Sequence, residues 1–302
     1  NWVHTDPEKG IYEWYNNGNF SLGFGSLFNT ISYITENHVY KPFWDRVESV
    51  YHFELCLLKT VYEQKNEIKE QRQEAIKETI NKKRFVLTFK LDSTKYDSFE
   101  FSGYRYIPRK NPVTGLKWKE YDHDSPYTKM IPYYRYYHND IIIEKAEYYI
   151  IPQAWDDAVE RLQMNQVMMQ RLSKDTILEV EVYYIENNKK DERLYNGHIS
   201  NNSFELRTEV QNIQYYKGDY LVRTNQASNN YIVHALEPLS EASFFRWNFF
   251  DPILERREYL TYNGFEDEAT EYLKEHPELK EELEKKIAED KQFAQNHYMQ
   301  MW

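Results

Sequence analysis

The chain has 302 residues, of which 41% are apolar and 17% aromatic, with 28 tyrosines and a formal net charge of −11. That length exceeds one average domain and predicts two, with ample material for a core, and the composition excludes a disordered chain. The negative charge argues against nucleic acid or an anionic membrane as partner, since either calls for a basic face. No stretch approaches the roughly 20 apolar residues needed to span a bilayer.

Cys56 lies in the apolar run LCLL with no second cysteine to pair with, and reads as a buried, inert thiol. The chain begins with Asn and stops at MQMW, which reads as a fragment cut at both ends.

From Gly10 to Arg46 a loop rich in glycine, asparagine and aromatics passes into a short apolar run, Leu27, Phe28, Ile31, Tyr33 and Ile34. Bounded by glycines and by Glu36-Asn37-His38, the run predicts a buried strand. An open α/β sheet presents a catalytic group in this order, at the carboxyl end of a strand. Pro42 suits a first helical turn, and from Phe43 to Tyr62 apolar residues recur at helical spacing, predicting a core-facing helix. Beyond Glu63 the helix continues as a charged, solvated one, and the domain boundary falls near residue 84, so that residues 1–83 form the first domain.

From Arg84 the period changes from helical to two. Short strands are expected over 84–91 and around 97–107, 131–137, 141–151, 177–185, 203–213 and 219–223, separated by turn signals such as His138-Asn139-Asp140. Residues 84–240 therefore read as a mostly antiparallel, sandwich-like β domain, interrupted by a helix over 153–162. Residues 241–302 hold an aromatic segment and two acidic helices, Glu266 to Glu275 and Pro277 to Glu289, whose narrow apolar stripe docks on something but could not fold alone. The fold class is thus α/β plus β, with C-terminal helices.

Glu36 is the sharpest candidate for chemistry: a carboxylate ending an apolar strand is either a general base in a partly dry cleft or a polar tip meeting solvent. The aromatic loop upstream could form a flexible wall over such a site. His38 would share a strand face with Glu36, but two ligands do not make a zinc site, and the remaining histidines form no HxxE or HExxH pattern. There is no GxSxG nucleophile motif, and GFGS at 23–26 lacks the lysine of a phosphate loop. Tyr133, Tyr134, Tyr136, Tyr137, Tyr148 and Tyr149 read either as a sugar-stacking platform or as cross-strand aromatic pairs.

Three segments carry a resemblance to a known family: EWYNNG (13–18) with GFGSLFNTISYITENHVYKPFWDR (23–46), GDYLVRTNQASNNYIVHALEP (218–238), and SFFRWNFFDPILERREYL (243–260). Together they resemble the end of the catalytic domain, and the tail, of zinc carboxypeptidases of the carboxypeptidase A type, in their large multidomain bacterial branch. The resemblance implies that Glu36 is the general base, taking a proton from a zinc-bound water and passing it to the leaving amine. It puts Tyr15 near the lid tyrosine that contacts substrate, with Tyr12 open as the alternative because the loop is one residue short. His38 takes the place of a histidine usual in the branch and acquires no role. The family's zinc ligands, an HxxE pair and a later histidine, lie upstream of this region. The resemblance therefore implies zinc and a peptide substrate for the intact protein, a periplasmic or extracellular location, and a chain that alone neither binds zinc nor hydrolyses peptides. The alternative is a non-catalytic glycan- or peptide-binding or structural module of a pseudo-peptidase.

Overall fold

The computed structural model describes residues 6–255 and 264–301; residues 256–260 of the third resembling segment lie outside the described residues. The chain divides into two compact units, Asn1–Phe250 and Asp251–Trp302. The class is mixed, with many strands in mostly antiparallel sheets and helices at the C-terminal end.

In the first unit a 3-10 turn (Pro7–Lys9) leads to β1 (Ile11–Tyr12), α1 (Ser21–Leu27) and the 39-residue α2 (Phe43–Asn81). Pro42, whose φ of −50° is preset by its ring, is the N-cap of α2. Short strands β2 (Arg84–Val86) and β3 (Phe89–Leu91) pair with β7 (Ile142–Glu144) and β6 (Tyr137–Asn139). Between them β4 (Asp97–Lys110) and β5 (Lys117–Tyr134) form a long antiparallel ribbon, on whose base β1 lies parallel to β5. A second ribbon joins β10 (Thr176–Lys189) to β11 (Ser203–Tyr215), and β12 (Tyr220–Arg223) sits between β8 (Tyr148–Ile151) and β9 (Met169–Arg171).

The core gathers where α3 (Asp156–Met164) and α4 (Asn229–Leu236) meet the β8–β12–β9 sheet. α3 turns Ala158, Val159 and Leu162 inward on one face, as residues three and four apart must. α4 is buried on several sides, through Tyr231, Ile232, Val233 and Ala235, so it lies inside the unit rather than on it. Leu162, Val222, Ile232 and Val233 are fully buried, and each such aliphatic side chain stabilises by roughly 1.5–3 kcal/mol. Val233 packs in a second cluster with Phe85 and Leu87, and Tyr149 lies against both clusters, joining β2 to the main core.

Residues 27–34 depart from the expected strand. Leu27 ends a helix, and residues 28–38 have no regular structure. A strand needs a neighbour to satisfy its backbone ladder, and among the described residues none pairs with this run. Leu27 enters the core and Phe28 packs against it, while Ile31, Tyr33 and Ile34 are 57–66% exposed. Cys56, expected to be buried, is exposed on α2.

The second unit consists of a 3-10 turn (Asp251–Leu254) and helices α5 (Glu266–Glu275), α6 (Pro277–Glu289), α7 (Lys291–Ala294) and α8 (His297–Met301). α6 starts with Pro277 at a first-turn position, where its missing N–H is not needed, and Asp290 caps α7 by accepting from the Gln292 and Phe293 amides. Phe293 is the buried centre of this small unit.

Candidate functional site

The loop that carries Tyr12 and Tyr15 is pinned at both ends. Tyr12 lies in β1, opposite Tyr134, and the Glu13 amide donates to the Tyr134 carbonyl at 2.9 Å. Tyr133 and Tyr137 donate their hydroxyls to the Glu13 carboxylate (3.0 Å) and carbonyl (2.5 Å). The Tyr15 ring is half-buried against Phe89 and Tyr137, with centroids 5.0 and 6.1 Å away. Burial pushes the Tyr15 hydroxyl pKa up, and the negative charge of Glu241 adds to the rise. Asn17 donates to the Glu241 carboxylate at 2.5 Å and Asn19 to its carbonyl at 2.9 Å. α1 then packs Gly23 directly on the loop backbone, where a Cβ would sit 1.9 Å from the Asn17 carbonyl oxygen.

A polar cavity of about 880 Å³ opens beside this loop, lined by Asn17, Asn19, Arg193, Glu241, Arg246 and Trp247 among others. Arg246 donates to the Asn202 carbonyl and side chain at 3.2 and 3.1 Å and lies over the Phe204 ring. Desolvation lowers its pKa, an effect that nearby Glu241 and Asp191 oppose.

Glu36 is exposed in the irregular segment before α2. The start of that segment is tied to α2, where Asn29 and Thr79 exchange hydrogen bonds at 3.1–3.2 Å and Arg72 donates to the Asn29 carbonyl at 3.2 Å. Asn29 takes a φ of 52°, a left-handed conformation that asparagine tolerates. His38 Nδ1 accepts from the Tyr40 amide at 3.2 Å, and its ring faces Tyr40 at 5.0 Å. His38 is thus occupied locally.

Glu36 is surrounded in sequence by an uncovered apolar surface. Fourteen large apolar side chains between Ile31 and Tyr62 are exposed, with Tyr40 at 88%, Trp44 at 74% and Tyr62 at 70%. The helix spacing marks this as a core face, but within the described residues its only ring-to-ring contact with the preceding segment is Tyr33 on Phe53, 6.4 Å apart. Large apolar side chains left exposed in this number along one stretch of chain call for a covering partner.

A buried polar cluster, absent from the sequence reading, lies at the end of α4. Glu237, 4% exposed, accepts from the hydroxyls of Tyr149 (2.5 Å) and Tyr183 (2.8 Å). Burial raises the Glu237 carboxyl pKa despite these two donors, and burial with the Glu237 charge pushes both tyrosines strongly up. His234 shares a 3.0 Å hydrogen bond with Ser240 and is held neutral, its pKa lowered to about 4 by burial and by the Lys82 charge. The signal was present in VHALEP, where a histidine and a glutamate interrupt an apolar helix. Among the described residues no group of three or more His, Cys, Asp or Glu is placed to hold a metal ion.

No family model matches the chain, and no solved structure matches it. Over 96 residues it is 32% identical to carboxypeptidase 2 of Trichophyton tonsurans, a stretch covering 32% of this chain and 18% of that protein. Carboxypeptidase 2 of Trichophyton equinum matches with the same identity and coverage. The chain thus spans less than a fifth of the length of these curated relatives.

Proposed function

We propose that this chain is the C-terminal part of a zinc-carboxypeptidase-like hydrolase acting on a peptide or amide bond, with Glu36 as the proton-accepting group and Tyr15 or Tyr12 contacting substrate. In this reading residues 1–83 end the peptidase domain, 84–240 form a β-rich accessory domain and 241–302 close the fold. The protein works outside the cytoplasm, in the periplasm or beyond. No helix among the described residues is long and apolar enough to cross a membrane.

The observation that carries the reading is the uncovered apolar surface on both sides of Glu36, taken with the 96-residue likeness to a carboxypeptidase. Fourteen exposed large apolar residues are the surface on which the rest of a catalytic domain packs, and packing there would place Glu36 at the edge of a water-poor cleft. A carboxylate so placed takes a proton from the attacking water and returns it to the leaving amine. The described residues of this chain do not compose a metal site, so the reading assigns the zinc ligands to polypeptide upstream and no step here passes through the metal.

The test uses the full reading frame containing this chain. Glu36→Gln is expected to lower peptide turnover at least a hundredfold, within the range for loss of a general base, with metal content unchanged. Unchanged turnover removes Glu36 from the mechanism, and a frame that encodes no HxxE with a following histidine removes the zinc-peptidase reading.

A further inference from the structure

The β4–β5 ribbon holds a cavity of about 970 Å³, lined along one side by the 3-10 turn Pro7–Lys9 and floored by aromatic rings of both strands. That volume falls at the upper end of the roughly 300–1,000 Å³ in which small ligands bind. The floor is built from the sequence upward. Gly103 has no side chain, so the Phe101 ring lies back across it, where a Cβ would meet that ring at 2.6 Å. Tyr127, in register with Gly103, faces Phe101 with ring centroids 5.9 Å apart. The ladder then slips: Tyr104 is opposite Pro126, but Tyr106 is opposite Tyr121. The extra residues on β5 form a bulge, a device that re-aims side chains. It sets the His123 ring against Tyr104 at 4.8 Å and brings Tyr106 and Tyr121 into the same cavity. Tyr104 and Tyr106, two residues apart on β4, are about 7 Å from each other along the strand, and Tyr121 is opposite Tyr106.

Tyr104 meets His123 and Tyr106 meets Lys119, yet with Tyr121 they remain 43–52% exposed. Their polar neighbours are arranged around them. Asp6 and Glu8 line the side formed by the 3-10 turn, Lys129 is paired with Glu8 at 2.6 Å, and Lys119 lies over the Tyr106 ring at 4.4 Å. The two lysines are therefore already engaged, and Asp6 and Glu8 offset the charge of Arg105, the third cation of the lining. What the cavity offers is a set of half-exposed aromatic side chains bordered by hydroxyls and carboxylates.

We propose that the β4–β5 cavity is a binding site for a neutral oligosaccharide of equatorially linked pyranoses, with Tyr104, Tyr106 and Tyr121 stacking on successive sugar rings. Such a pyranose has a flat C–H face that suits an aromatic ring and a rim of hydroxyls that suits the carboxylates and phenols at the border. A nucleic acid would need a basic groove beside its stacking rings, which one arginine, two engaged lysines and a net charge of −11 do not provide. The site stands independently of the peptidase reading, because it uses none of Glu36, Tyr15 or Tyr12.

Calorimetric titration of the full chain with cellohexaose and with chitohexaose tests this, with oligogalacturonate and an unstructured peptide as comparisons. Saturable binding of at least one neutral hexasaccharide is expected. It should weaken at least tenfold in Tyr104→Ala/Tyr121→Ala and persist in Tyr104→Phe/Tyr121→Phe and in Trp118→Ala, which removes an exposed ring of the same ribbon outside the cavity. On the wild-type protein, saturation-transfer NMR should reach the sugar C–H protons from tyrosine rings and vanish when those rings are deuterated, a readout that does not depend on the alanine variant folding. Absence of binding to both neutral sugars, equal loss in Trp118→Ala, transfer that survives ring deuteration, or tighter binding of oligogalacturonate or the peptide would overturn the proposal.

Discussion

Asn229 decides how the long helix is fastened to the core. The last carbonyls of a helix have no partner within it, and those of α2 end inside the protein, beside a buried Thr79. Asn229, fully buried at the start of α4, donates its side-chain amide to the carbonyls of Thr79 (3.2 Å), Ile80 (3.4 Å) and Thr224 (3.0 Å). Its side-chain oxygen accepts from the Gln226 amide at 3.1 Å. Asn229→Ala removes all four contacts, but Lys145 still donates to the Ile80 and Thr224 carbonyls at 3.3 and 3.0 Å. The groups newly stranded are the Thr79 carbonyl and the Gln226 amide. At about 1–3 kcal/mol for each buried orphan, the loss should be about 4 kcal/mol. Urea unfolding followed by circular dichroism measures it, as a lower midpoint with an unchanged slope. Hydrogen exchange should show the last turn of α2 opening more readily than the β10–β11 ribbon. Asn229→Asp, which keeps the acceptor and loses the donors, should still unfasten the helix. A loss under about 1 kcal/mol, or exchange that rises equally everywhere, would refute the view that this amide anchors α2.

His234 should make the fold sensitive to acid. Its pKa is depressed from 6.5 to about 4 in the folded chain, so its contribution is fully present above 6.5 and is lost as pH falls through 4. The gap corresponds to about 3 kcal/mol, read as the difference between the stability–pH curves of the parent and His234→Gln; a difference that does not vary with pH would refute it. Glu237 titrates with the opposite sign: its folded pKa is raised, so its contribution is present below its ordinary value and is lost as pH rises. The pairwise comparison is therefore needed to isolate the histidine. Gly23→Ala should displace the Trp14–Phe20 loop, because a Cβ would collide with the Asn16 and Asn17 carbonyls at 2.3 and 1.9 Å. The expected cost is about 1–3 kcal/mol, together with a changed environment for Tyr15 in its NMR ring signals; unchanged stability and signals would show that the loop is not held there.

Much of the element pattern was legible because it depends on near neighbours. The helical spacing from Phe43 onward, Pro277 at the start of α6, and the alternation through Ile177–Ile185 and Phe204–Ile213 each correspond to an observed element. Such features follow from backbone sterics and side-chain periodicity, which act over a few residues. Glu36 stands out by residue type and order along the chain, whereas Tyr12 and Tyr15 are marked only by the family resemblance.

What only the tertiary structure decided is which surfaces and polar groups have partners. The run Leu27–Ile34 has strand composition, yet α1 claims its first residue and, among the described residues, no neighbouring strand takes the rest. The spacing of α2 marks a core face and placed Cys56 within it, but spacing does not state what covers that face, and here it is open. Glu237 meets Tyr149 and Tyr183 across 88 and 54 residues of sequence, and Asn229 reaches Thr79 across 150. The oligosaccharide cavity depends on a register slip between two strands. Periodicity sets the shape of an element, whereas covering a face or satisfying a buried group depends on residues far away in the chain, and single-sequence reasoning does not reach them.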